Sequence, residues 1–327
     1  MSEKISYGGQ ALIEGVMMRG RRFVACAVRE PKGEIITISE PIAPAIYASR
    51  WSKLPFLRAM TILWDTLVLG TKMLMYSANI AMQEELQKEH QATHSAPSSS
   101  GSKEPPAAIP AGLAFGTLAI SLTFGIGLFF VLPLVLVNFA DPFLADWIVN
   151  RDLTSLASNV LEGAIRLSLF LIYIYAISLL PDVRRVFQYH GAEHKTIAAD
   201  EAGAPLTPDS IQKFSKEHPR CGTGFLLTVV VVSIFVFALL GQPPLVLRII
   251  SRIVLVPVVA ALSYELIKFS AARKNNPVLS WLVVKPSLAL QSLTTREPDE
   301  KMIEVAVAAL QKVQAEESVA RTASPPR

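Results

Sequence analysis

The sequence predicts an α-helical polytopic membrane protein with about four transmembrane helices and a small α+β cytoplasmic portion. Three observations carry this. Hydrophobic residues make up 51% of the 327 and charged ones only 18%, an apolar excess foreign to an ordinary soluble enzyme. Runs without Asp, Glu, Lys or Arg are long enough to cross hydrocarbon. Lysine and arginine also concentrate in particular connecting segments, as the positive-inside rule requires of cytoplasmic ones.

The chain opens with Gly8-Gly9-Gln10-Ala11-Leu12-Ile13-Glu14-Gly15-Val16-Met17-Met18-Arg19-Gly20, whose glycines predict a structural loop with tight turns. Phe23 to Val28 and Glu34 to Ser39 are rich in Val, Ile and Thr and flank Glu30-Pro31-Lys32-Gly33, so a small hairpin is expected. Loop and hairpin occupy residues 1–54. Residues 55–87 read as an interfacial helix, because Arg58, Asp65 and Lys72 recur every seven residues along one face of an otherwise apolar stretch. Spanning is the alternative, and it would cost about 2.5–3.5 kcal/mol for each charge near the bilayer centre. Residues 88–107 contain Ser95-Ala96-Pro97-Ser98-Ser99-Ser100-Gly101-Ser102 and are expected to be a disordered linker, so His90 and His94 offer no preformed metal site.

Four spans are expected after the linker: 105–140, bent near Pro133; 160–180, with Glu162 and Arg166 paired one turn apart at its outer end; 225–240; and 245–267. Residues 108–181 thus hold the first two spans, 182–221 form a cytoplasmic loop, and 222–270 hold the last two. Arg184, Arg185, Lys195, Lys213, Lys216 and Arg220 lie in that loop, and the N-terminal segment and the tail are also basic, which places both termini in the cytoplasm of a multi-pass cell-membrane protein. Arg248 and Arg252, assigned near the outer surface, are a contrary signal. The tail, 271–327, should hold an amphipathic helix opened by Glu297-Pro298-Asp299-Glu300, with Met302, Val305, Ala306, Ala309 and Leu310 as its apolar stripe packed on the N-terminal hairpin, and a disordered end.

A net charge of +4 is too small and dispersed to indicate nucleic acid. Cys26 and Cys221 are too few for a disulfide framework and fit a reducing compartment, and the N-terminus shows no cleavable signal pattern. The expected partners are the lipid bilayer and a protein or peptide.

Chemistry concentrates between the second and third spans. In Tyr189-His190-Gly191-Ala192-Glu193-His194-Lys195 the two histidines lie one helical turn apart and reach the same point in space. The order His-x-x-Glu-His matches the inverted zincin pattern, in which two histidines hold zinc and the carboxylate, here Glu193, is the general base. His218 and Cys221 follow on the same predicted side and complete a possible ligand set of His190, His194, His218 and Cys221, with Glu14 and Glu265 as accessory groups. Zn²⁺ is the expected cofactor. Three readings stay open: an open hydrolytic zinc site, a four-ligand site closed to water, and a hydrogen-bonded histidine cluster.

The segments Gly8–Gly20, Tyr189–Thr196, His218–Thr223, Tyr264–Leu266 and Leu293–Pro298 resemble the motifs of the bacterial YqhQ family over nearly the whole chain except the Ser/Pro linker. That resemblance implies a membrane protein with a metal-dependent site on these His and Glu residues. The residues themselves lead to a zinc-dependent membrane hydrolase, with a peptide or amide substrate by analogy with inverted zincins. The alternative is a non-enzymatic scaffold whose ordered loop binds a protein partner. Transport is a third reading, disfavoured because the spans lack paired buried charges or broken helices.

Overall fold

From Gly8 to Pro41 short β-favouring runs alternate with turn residues, and the chain folds there into one antiparallel sheet in the order β1-β2-β3-β4. The strands are β1 Gly8–Leu12, β2 Gly15–Arg19, β3 Phe23–Arg29 and β4 Ile35–Pro41. The expected hairpin is β3–β4. The glycine-rich segment is not a loop: it is a second hairpin, turned by Ile13 and Glu14 between the paired residues Leu12 and Gly15. Glu14 takes φ 53°, and a side chain on Gly15 would meet the Ala27 carbonyl at 2.6 Å, so that glycine admits the neighbouring strand.

This computed structural model describes residues 5–42, 54, 56–93, 111–148, 150–241, 243–273 and 276–322. Its helices are α1 Leu57–Thr93, α2 Ala111–Ile126, α3 Leu132–Trp147, α4 Arg151–Ile177, α5 Pro181–Ala202, α6 Thr223–Ala238, α7 Leu245–Val254, α8 Val256–Ala272, α9 Lys285–Thr294 and α10 Glu300–Thr322. Helix α1 continues through the first residues assigned to the linker. The rest of that linker, with His94, and the end of the tail lie outside the described residues.

Both faces of the sheet are covered, as alternation of apolar side chains along its strands requires. Val16, Met18, Ala25 and Ala27 pack against Tyr189, Ala192 and Ile197 of α5 and against the stripe of α10, in which Met302, Val305, Ala306, Ala309 and Leu310 are all buried. Asp299 caps α10 by accepting from the Met302 amide at 2.8 Å. The opposite face packs Leu12, Met17, Val24, Cys26 and Val28 against Met73 and Ile80 of α1. The three charges spaced by seven along α1 each find a different element: Arg58 pairs with Glu265 on α8, Asp65 with Arg19 on β2, and Lys72 with Glu40 on β4. Trp64, Leu67 and Val68 of this helix remain exposed.

Two helical stretches are long and apolar enough to cross a membrane, Ala119–Leu144 and Leu153–Ile177. A third is present if α7 and α8, bent by 46° at a single break, count as one span. Helix α6 is apolar but has 16 residues, about 24 Å of helix against a hydrocarbon core of about 30 Å. The expectation of about four spans is therefore carried in part.

Arg248 and Arg252 point into the helical bundle. Both are buried with Arg166 around Glu162, at 3.3, 3.0 and 2.7 Å respectively, and Arg248 also reaches Asp141 at 3.3 Å. The π-helical turn Gly127–Val131 between α2 and α3 presents the Phe129 carbonyl to Arg166 Nε at 2.8 Å. Paired buried charges and a bent helix pair are thus both present, which removes the sequence ground for setting transport aside.

Candidate metal centre

Helix α5 is defined locally: Pro181 occupies its first turn with Asp182, where a fixed φ and a negative charge suit an N-terminus, and Gly203 at φ 70° ends it. Four residues of rise bring the His190 and His194 rings to a centroid separation of 4.3 Å. The two imidazoles are then oriented by main-chain carbonyls. His190 Nδ1 lies 2.9 Å from Thr294 O, at the end of α9, and His194 Nδ1 lies 2.6 Å from Lys216 O. A carbonyl only accepts, so each Nδ1 carries the proton and each Nε2 presents a lone pair. Cys221 Sγ lies 3.2 Å from His190 Nε2, and ligand atoms of His190, His194 and Cys221 all fall within 4.8 Å of one another. Thr223 approaches the sulfur with its hydroxyl at 3.1 Å.

Glu193 adds a carboxylate to this point, Oε2 being 3.9 Å from His190 Nε2 and 3.8 Å from His194 Nε2. The Gly9 backbone also hydrogen-bonds Glu193, and a Cβ on Gly9 would stand 2.8 Å from the Glu193 side chain. Burial dominates the electrostatics. It raises the Glu193 carboxyl to about 7, against the pull of His190 and the Gly9 bond, and lowers His194 to about 3, assisted by the neighbouring imidazoles. The Cys221 thiol is pushed up by burial although Thr223 works against it. At neutral pH His194 therefore keeps its lone pair, and the thiol keeps its proton until something replaces it.

The other residues singled out in the sequence go elsewhere. His218 stands beside the cluster, its ring 5.8 Å from that of His194, yet its Nδ1 accepts from the Arg220 amide at 3.4 Å and its Nε2 faces Glu201 at 3.5 Å. Gln291 clamps it further, accepting from the His218 amide and donating to its carbonyl. Glu14 is held by Arg185 and by the Tyr189 hydroxyl. Glu265 is bound by Nε and Nη2 of Arg58. None of the three reaches the ligand point. The sequence reading missed Gly9 and the carbonyls of Thr294 and Lys216. The Gly8-Gly9 pair was a usable signal, but main-chain carbonyls carry none.

A cleft of about 630 Å³ opens onto the cluster. One wall is Leu67 and Leu74 of α1, the other is α5, and Gly8 to Ala11 of β1 lie along it.

The position of α5 depends on Gly191. Its Cβ would fall 2.1 Å from the Arg296 carbonyl, a backbone group that has no rotamer to escape into. Gly191→Ala is expected to destabilise by about 3 kcal/mol through overpacking, read as a lowered melting temperature of the purified protein. An unchanged melting temperature would show that α5 is not seated on the 295–298 segment.

The family model described as "Protein of unknown function (DUF1385)" matches residues 54–316, which contain the whole His/Glu/Cys cluster. A Bacillus subtilis (strain 168) protein described as "Uncharacterized protein YqhQ" is 32% identical over 303 residues, covering 92% of this chain and 90% of that protein. No solved structure matches the chain significantly.

Proposed function

The chain belongs to the DUF1385 family, and from that premise we propose that it is a zinc-dependent hydrolase working at the cytoplasmic face of the membrane. The observation that carries this reading is the pair of Nδ1 contacts to Thr294 O and Lys216 O, which turns two Nε2 lone pairs toward Cys221 Sγ. Backbone-oriented imidazoles with a convergent thiol are the donor set and outer shell that zinc favours.

The assigned roles are His190, His194 and Cys221 as ligands and Glu193 as general base. His218 engages Glu201, so three protein ligands face a cleft, the arrangement of an open site as opposed to a closed one. Zinc held there supplies Lewis acidity toward a carbonyl oxygen. Glu193 takes a proton from the attacking water and returns it to the leaving group, a task suited to a carboxyl whose pKa sits near the working pH. Exposed Trp64 and Val68 on α1 support a position of this cleft beside the lipid headgroups.

One observation favours the scaffold reading: the 3.2 Å His190–Cys221 contact already satisfies both groups without an ion. Zinc content separates the two. Purified protein should bind one equivalent of zinc, and His190→Ala or Cys221→Ser should lower its affinity by more than tenfold. Uptake at pH 7 should release about one proton from the Cys221 thiol, measurable by calorimetry in buffers of different ionisation enthalpy. Protein that binds no zinc, yet melts normally, would sink the hydrolase.

A further inference from the structure

Strand β1 is an edge strand: among the described residues it pairs with β2 alone, and its other side borders the cleft. The direction of its backbone groups follows from the turn. A two-residue turn makes Leu12 and Gly15 a hydrogen-bonded pair, so Leu12, Gln10 and Gly8 address β2. Gly9 and Ala11 then turn their amides and carbonyls away from β2, and the Gly9 bond to Glu193 agrees with that alternation. With the Gly9 amide given to Glu193, the strand offers the Ala11 amide and the Gly9 and Ala11 carbonyls beside the general base.

We infer that the substrate of the proposed hydrolase is an extended polypeptide segment that docks as a fifth strand on β1, placing a peptide carbonyl opposite Gly9 at the His190–His194–Cys221 point. The inference rests on the hydrolase reading and gives its substrate class. Five residues of β1 present about 17 Å of ladder, and an added strand lies about 4.8 Å away, within the cleft between α1 and α5. Side chains of such a strand alternate. One set meets Leu67 and Leu74 on α1, which selects apolar residues, and the other meets α5 and the cluster. Gly9 puts no side chain at the point of closest approach, where a Cβ would strike Glu193. An acyl chain fills an apolar wall but leaves the Ala11 amide and the strand carbonyls without partners, so the edge favours a polypeptide over a lipid.

The reaction balances with water alone. The water oxygen bonds to the substrate carbonyl carbon, the carbon–nitrogen bond breaks, and the water proton passes through Glu193 to the departing amine.

The test uses the full-length zinc-loaded protein in lipid nanodiscs with three probes. These are unfolded casein, a labelled peptide spanning a casein cut site, and vesicles of phosphatidylglycerol and phosphatidylcholine. Casein should be cut next to apolar residues and vesicle lipids left intact. Methylating the peptide's backbone nitrogens one at a time should weaken its binding to the Glu193→Gln protein by tenfold or more at every second position. On the protein side, Ala11→Pro removes an edge amide without touching the β1–β2 ladder. It should keep its zinc and melting temperature while kcat/KM on casein falls at least tenfold. Lipid hydrolysis without casein hydrolysis would overturn the inference and leave the hydrolase standing, as would uniform effects of methylation. Protein that takes up no zinc would overturn both. Should Ala11→Pro fail to fold, the methylation series still decides, because it alters only the peptide.

Discussion

Glu193→Gln is expected to lower hydrolysis by a factor of about 10²–10⁴ while one equivalent of zinc stays bound. The amide has nearly the shape of the carboxylate and cannot take up a proton at neutral pH. His190, His194 and Cys221 keep their contacts, so the loss falls on turnover and not on metal content, which atomic absorption on the same sample would show. Full activity in this variant would remove Glu193 from the mechanism. The substitution has a second readout in chelator-treated protein. A carboxyl raised to about 7 by burial holds its proton in the folded state over a range where the unfolded chain, near 4.5, has lost it. Stability from this group is therefore present at low pH and lost as pH rises from about 4.5 to 7. At pH 8 metal-free Glu193→Gln should exceed the wild type by roughly 3 kcal/mol, at about 1.36 kcal/mol for each pKa unit, and at pH 4 the advantage should vanish. His194, lowered to about 3, gains stability for the fold as pH climbs toward 6.5, but it does so in both proteins.

Glu162→Gln is expected to destabilise the helical bundle by about 3–5 kcal/mol. Glu162 is almost fully buried, and its two oxygens serve Arg166, Arg248 and Arg252 at once. Removing its charge leaves three guanidinium groups together, with Asp141 alone among the described residues opposing them from the end of the cluster, and an uncompensated buried charge costs several kcal/mol. The expected result is a sharply lower melting temperature in mild detergent and poor yield from the membrane. A companion change of Arg248 and Arg252 to methionine should restore much of the loss. A Glu162→Gln protein as stable as the wild type would mean that the cluster holds water or an ion that shares the charge.

The helical spacing of His190 and His194, and the place of Glu193 between them, could be read directly from the chain because a helix of known period fixes both. His218 was less legible. Its fate depends on Glu201, seventeen residues back, and on a clamp by Gln291 from α9, and no local pattern reports such partners. The spacing of Arg58, Asp65 and Lys72 marked one face of α1 correctly, but it did not reveal that Arg58 holds Glu265, which the sequence suggested as an accessory group of the metal site. In the first forty residues, Gly8, Gly9 and Gly15 concealed two strands because glycine is a poor strand former. Gly9 and Gly15 are there for close approach, which composition does not reveal. Arg248 and Arg252 misled the charge count for the opposite reason: the positive-inside rule counts charges in loops, and these two are inside the bundle.

The placement of α10 sets a timetable for synthesis. Residues 302–310 close the face of a sheet whose last central strand ends at Arg29, so the sheet leaves the ribosome with Val16, Met18, Ala25 and Ala27 uncovered. About 270 residues must follow before the closing helix exists, which takes roughly 15–50 seconds at about 5–20 residues per second. During that interval the N-terminal strands are a sticky nascent fragment followed by long apolar helices. A chain that stops before residue 300 lacks the helix that buries this face of its own beginning.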